Sequence, residues 1–138
     1  MNIDSKLLAA AAEAIQTAHS NHPELTRNGW TTPNPAHGRV FPPTAVATAI
    51  AFLRDGPVVR LKRPSKLSNS YHLKHVCEEW GREHNMESYV ATGDLLVAAL
   101  YLGIPLSKPF GPNSDCGVRC TSEDFGRFKR GYFTGSHA

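Results

Sequence analysis

The stretch from Gly93 to Leu102 constrains the fold more than any other part of the chain. It reads GDLLVAALYL, and its run from Leu95 to Leu102 is apolar on nearly every side of a helix. A helix without a polar face must be wrapped by other elements. The run is also far short of the about 20 apolar residues that a bilayer requires. Thr92 is placed to cap this helix, Asp94 sits in its first turn, and Gly103 and Pro105 stop it. The sequence therefore predicts a helix-dominated α+β fold. About five helices would surround this central apolar one, beside a small two-stranded β element.

The other elements follow from periodicity and punctuation. Asp4 or Ser5 can cap a first helix from Lys6 to about His19, with Leu8, Ala11, Ala12, Ile15 and Ala18 as its apolar stripe. Pro42 and Pro43 suit the opening of a second helix from Thr44 to Arg54, because a first turn does not need their N–H groups. Val46, Ala49, Ile50 and Leu53 would be its buried side, and Gly56 its left-handed stop. The clearest amphipathic pattern is Leu73, Val76, Cys77 and Trp80, on a third helix from Tyr71 to about Arg82 capped by Ser68 or Ser70. His72, Lys74, His75, Glu78 and Glu79 fall off that stripe, which puts Lys74 and His75 on the exposed side. Ser122 opens a last short helix. Acids at Glu123 and Asp124 and bases at Lys129 and Arg130 match the helix dipole, and Phe125 and Phe128 would dock it.

Pro57–Lys62 alternates as a short strand that Pro64 ends, and Cys116–Cys120 can form a second strand pairing with it. Residues 21–43 hold five prolines, at 23, 33, 35, 42 and 43, and read as an irregular loop. Trp30, Val40 and Phe41 would pin that loop to the core. The tail from Thr134 is polar and expected to fray.

Length and composition set the class. At 138 residues, with 41% hydrophobic and 20% charged residues, the chain suits one globular domain spanning 1–138, able to hold a core without disulfide or metal. Three cysteines, Cys77, Cys116 and Cys120, are an odd number at irregular spacing. They fit reduced thiols and a cytoplasmic location rather than a disulfide framework. The apolar Leu7–Ala12 follows Asp4 and is interrupted by Glu13, unlike a signal peptide. No membrane association is expected.

No motif marks a catalytic centre. There is no G-x-S-x-G, no H-E-x-x-H and no phosphate-binding glycine loop. His72, His75 and Cys77 are close in sequence, and Cys116 and Cys120 form a C-x3-C pair. However, Cys77 belongs to the apolar stripe, and paired zinc ligands usually follow C-x2-C spacing. No catalytic residue, metal set or cofactor is therefore assigned, and the chain leans away from being an enzyme.

Cations are the remaining signal, on a chain of net charge +3. Arg54, Arg60, Lys62, Arg63 and Lys66 are followed by Lys74 and His75, and Arg127, Lys129 and Arg130 lie near the end. Arg119 would join Arg60 and Lys62 if the two strands pair. Such a surface binds phosphates by releasing counterions, and Ser68, Asn69, Ser70 and Tyr71 could add hydrogen bonds. The expectation is a basic DNA- or RNA-binding, or nucleoprotein-associated, module. A second reading is a protein-interaction module, an adaptor or inhibitor, that uses Trp30 and Phe41 of the 21–43 loop. A zinc- or thiol-dependent enzyme is a third, with less behind it.

Overall fold

The computed structural model describes residues 2–30 and 38–121. In chain order the elements are α1 (Ser5–Asn21), β1 (Leu25–Thr26), β2 (Gly29–Trp30), α2 (Pro43–Asp55), β3 (Val58–Asn69), α3 (Ser70–Glu83), α4 (Thr92–Tyr101) and β4 (Asp115–Cys120). The fold is α+β, with four helices and two small antiparallel sheets, β1–β2 and β3–β4, among the described residues. The helix expected from Ser122, with Arg127, Lys129, Arg130, Phe125 and Phe128, lies outside them, as does the tail from Thr134.

The Asp4 side chain caps α1 by accepting the Leu7 N–H at 2.8 Å. The buried face is Leu7, Ala11, Ala14 and Ala18, one position round from the expected stripe, and Leu8 is exposed. Both readings have helical spacing. The small Ala14 lets the neighbouring helices approach on that side, whereas Ala12 faces solvent.

α2 begins at Pro43, as the two prolines suggested, but it is not one-sided: every residue from Ala45 to Leu53 is buried. The same holds for Thr92–Ala99 of α4. The expected single central helix is thus replaced by two helices that share that position. α1 and α3 pack against both. The Phe52 and Trp80 rings meet edge-on at 5.8 Å between α2 and α3. Burying each large aliphatic or aromatic side chain of this core contributes about 1.5–3 kcal/mol. The one hydroxyl in the middle of α2 is fully satisfied: Thr48 Oγ1 donates to the Thr44 carbonyl and accepts from Glu87 N–H. Gly56 ends α2 in an extended conformation (φ −82°), not the left-handed one expected. Its lack of a Cβ is needed because a side chain there would press on the Phe52 carbonyl. The left-handed stop is Gly103 after α4, at φ +72°.

The 21–43 segment is less irregular than its prolines implied. Leu25 pairs with Trp30 and Thr26 with Gly29 in a two-residue hairpin. Gly29 (φ +109°) packs so tightly on Pro112 that only glycine fits, and Trp30 N–H donates to the Pro112 carbonyl. Prolines at 33 and 35 fall outside the described residues.

The larger correction concerns β3. It runs through Pro64 to Asn69, far beyond the Lys62 end expected. Its register with β4 pairs Val58 with Cys120, Val59 with Arg119 and Arg60 with Val118, then jumps to Ser65 with Cys116 and Asn69 with Asp115. Between Arg60 and Ser65, β3 spends more residues than β4, so it bulges, and Pro64 lies in the bulge, where no ladder N–H is required. On its other side β4 is held by residues 105–107, through Gly117 N–H to the Pro105 carbonyl and Ser107 N–H to the Asp115 carbonyl. Among the described residues, β3 is an edge strand.

Candidate functional site

Two groups of polar side chains stand out: a buried charged cluster around α4, and the cations on β3 and β4. The cluster is built where the β1–β2 turn meets the start of α4. Asp94, 0% exposed, accepts the Ala91 N–H at 2.9 Å and the Arg27 Nε–H at 3.1 Å through Oδ2. The Arg27 carbonyl in turn accepts the Gly93 N–H at 2.8 Å. Asp94 therefore does more than the dipole role read from its position. It closes the first turn of α4 in place of Thr92 and clasps the hairpin to the helix. Burial pushes its carboxyl up to about 6, against the opposing pull of the Ala91 N–H and the Arg27 charge.

Glu78 makes the second clasp. Oε2 accepts the Val90 N–H at 3.0 Å, and Oε1 lies 3.3 Å from both Lys74 Nζ and His75 Nδ1. Burial pushes this carboxyl upward, but the hydrogen bonds from His75 and Val90 and the Lys74 charge outweigh it and hold it below its ordinary value. The Arg27 guanidinium lies 4.9 Å and Lys74 Nζ 5.6 Å from the centre of the Tyr89 ring. The cluster thus ties the hairpin, α3, the connection after it and α4 together with its charges spent internally. Its pairing is that of a structural clamp rather than an acid–base pair aimed at a substrate.

This arrangement corrects the expectation for α3. Lys74 and His75 are not on an exposed side: their side chains are only 14% and 16% exposed and both engage Glu78. The buried surface of α3 is broader than the Leu73–Trp80 stripe and includes His72 and Glu78. The helix cap is Asn69, whose Oδ1 accepts the His72 N–H at 2.8 Å, rather than Ser68 or Ser70. Ser68 is buried. Ser70 Oγ donates to Asn113 Oδ1 and accepts the Ser114 N–H. Asn69 and Ser70 thus join loop to helix.

The remaining cations divide by register. Arg54 is neutralised by Asp55 at 2.9 Å. Arg60 shares a face with Val118, the core side of the ribbon, and its guanidinium reaches back to donate to the Leu102 carbonyl at 2.6 Å. That is a cation on the C-terminal carbonyls of α4, where the helix dipole favours it. Arg119 lies opposite Val59 and therefore on the other face. The two strands do pair as expected, but their register separates Arg119 from Arg60, because successive side chains alternate.

Lys62, Arg63, Lys66 and Arg119 remain. All four are exposed, and none forms an ion pair with a carboxylate among the described residues. Lys62, Arg63 and Pro64 are consecutive and all exposed, as are Lys66 and Leu67. A strand lying flat on a core buries every second side chain, whereas in β3 three successive residues, Lys62 to Pro64, are exposed. The double bulge there was not visible in the sequence, where Pro64 read as a strand end.

The side chains proposed for a protein partner are used internally. Phe41 is 3% exposed in the core, and Trp30 is half-buried with its indole N–H donating to Ser114 Oγ at 2.9 Å. The thiols are core groups. Cys77 and Cys116 are fully buried and Cys120 partly so. Burial pushes Cys77 well above its ordinary value and the other two up to about 12. Among the described residues, no three His, Cys, Asp or Glu side chains converge as metal ligands, and no helix is long and apolar enough to cross a membrane. Comparisons with protein families, curated proteins and solved structures find no match to this chain.

Proposed function

We propose that the chain is a nucleic-acid-binding module whose contact surface is the bulged part of the β3–β4 ribbon. One observation carries this reading: Lys62, Arg63, Lys66 and Arg119 are exposed and lack internal carboxylate partners, while the other described cations of the basic segment are paired or hold helix carbonyls. Exposed cations without carboxylate partners, clustered on the bulged stretch of an edge strand, suit a polyanion. In the sequence, Arg127, Lys129 and Arg130 follow β4 and extend the same charge. Three free thiols fit the reducing cytoplasmic setting in which this function would operate.

Four phosphate contacts give a salt dependence of about −3.6 in log K against log salt for a B-form duplex, a loss of about 150-fold between 50 and 200 mM. The test is fluorescence anisotropy of the full chain with labelled nucleic acids at low salt. The variant carries K62E, R63E and K66E together. Binding with that salt slope, abolished in the variant while its thermal unfolding is unchanged, is the expected result. Absence of binding to any nucleic acid, or binding indifferent to the three reversals, overturns the reading.

A second reading has its own observation. Lysines, a proline and bulges on an edge strand hinder pairing with another chain. If that were their whole role, the glutamate variant would stay monomeric and the parent would bind no nucleic acid.

A further inference from the structure

Resting on the nucleic-acid reading above, we infer that the partner is a single-stranded nucleic acid. Its phosphates meet the exposed cations of β3 and β4, and its bases stack on the aromatic rings that follow β4 in the chain. Three observations carry this.

The first is where the exposed cations sit. A duplex is read in its major groove by an α-helix or a two-stranded ribbon. β3 pairs with β4 at Val58–Arg60, at Ser65 and at Asn69. Lys62, Arg63 and Lys66 fall between those points, on bulged chain, and so belong to neither kind of element. An irregular line of cations has no fixed shape to match to a rigid groove, whereas a flexible single strand can bend to follow it.

The second is the sequence that continues β4. Phe125, Phe128, Tyr132 and Phe133 fall within nine residues, interleaved with Arg127, Lys129 and Arg130. These positions lie outside the described residues, and it is their order along the chain that matters. From Thr121 to Ala138 every large apolar residue is aromatic, with no leucine, isoleucine, valine or methionine. A segment that only docks on a core is served as well by aliphatic side chains, which dominate the core of this fold. Rings interleaved with cations are the combination that single-strand binders use, because a ring face accepts any base while the cations hold the phosphates.

The third is continuity. Thr121 N–H donates to the Pro57 carbonyl at 2.8 Å, so the chain leaves β4 at the first residues of β3. Phe125 is four residues further on, and its Cα is within about 14 Å of Thr121 whatever path the chain takes. The rings therefore begin within reach of Arg119, on the ribbon that bears the exposed cations.

The experiment measures anisotropy of the full chain on labelled probes of equal length and sequence: single-stranded DNA, single-stranded RNA, duplex DNA, and the DNA strand with abasic sites in place of its bases. The abasic strand keeps the phosphates and removes the stacking. A variant carrying F125L, F128L, Y132L and F133L keeps apolar bulk and removes the rings, so a docking role survives in it. A single strand is expected to bind about tenfold or more tighter than the duplex. The intact strand is expected to bind about fivefold or more tighter than the abasic one, the least that one stacked base supplies. In the leucine variant that difference between intact and abasic strands is expected to vanish. Duplex binding equal to or tighter than that of both single strands, still lost on charge reversal at 62, 63 and 66, overturns the single-strand assignment and leaves the broader reading intact. An abasic strand that binds as tightly as the intact one, or a difference that the leucine variant retains, overturns the stacking on these rings. The abasic comparison needs only the parent chain, so it decides the matter even if the variant does not fold. Failure to bind every probe removes both readings.

Discussion

Replacing Asp94 with asparagine separates the charge of this side chain from its shape. In the folded chain burial holds the carboxyl at about 6, whereas in the unfolded chain it ionises near 4. Between those values the unfolded state releases its proton first, so the native state binds more protons and stability falls as pH rises. The stabilisation present below about pH 4 is lost as pH passes through about 6. A displacement of about two pH units corresponds to about 3 kcal/mol. Urea unfolding of the parent and D94N at intervals from about pH 4 to about pH 8 measures this directly. Other titrating groups, Glu78 included, affect both proteins and cancel in the difference. The parent is expected to lose about 3 kcal/mol relative to D94N across that range, most of it between about pH 4 and about pH 6. A flat difference, or one that grows in favour of the parent with pH, would refute the reasoning. It would mean that the Arg27 pair and the Ala91 N–H outweigh desolvation.

Two further outcomes test the packing around this site and the state of the thiols. G93A should destabilise by about 1–3 kcal/mol, although alanine gains about 1 kcal/mol over glycine in an open helix, because its Cβ would meet the backbone of Thr26 and Arg27; a rise in denaturation midpoint would contradict the close approach. Cys77, Cys116 and Cys120 should react slowly with a disulfide reagent in the native protein and all promptly in denaturant, given thiols held well above their ordinary range; a fast native phase would show one of them to be accessible.

Much of the helical frame was legible because it rests on local signals. The Asp4 cap, the Pro43 start, the Leu73–Trp80 stripe and the Gly103 stop each depend on a few neighbouring residues. The face α1 buries lies one position from the one its sequence suggests, because its alanines offer two stripes of nearly equal hydrophobicity and only the partner helices choose between them. β3 continues past Pro64 because a bulge there asks no ladder N–H of the proline, and a bulge leaves no mark in the sequence of one strand alone. The roles of Arg27, Asp94 and Glu78 depend on partners far away in sequence, which spacing cannot show. In the same way, the sequence could show that cations were numerous between 54 and 75. It could not show which were already engaged, and that distinction is what narrows the candidate surface to Lys62, Arg63, Lys66 and Arg119.

The clasp between Arg27 and Asp94 also bears on how the chain acquires its fold. Its two residues are 67 positions apart, so the contact carries a large loop-closure entropy and belongs to the slow, non-local class. α1 and α2 can form and pair early, but the β1–β2 turn has nothing to rest on until α4 has been synthesised. Through that interval the α4-facing side of α2 stays open to water. A chain interrupted before residue 94 would therefore carry a nascent helical pair with an uncovered apolar face. Covering that face falls to α4, and the hairpin and β3 then find their remaining partners in residues 112–120.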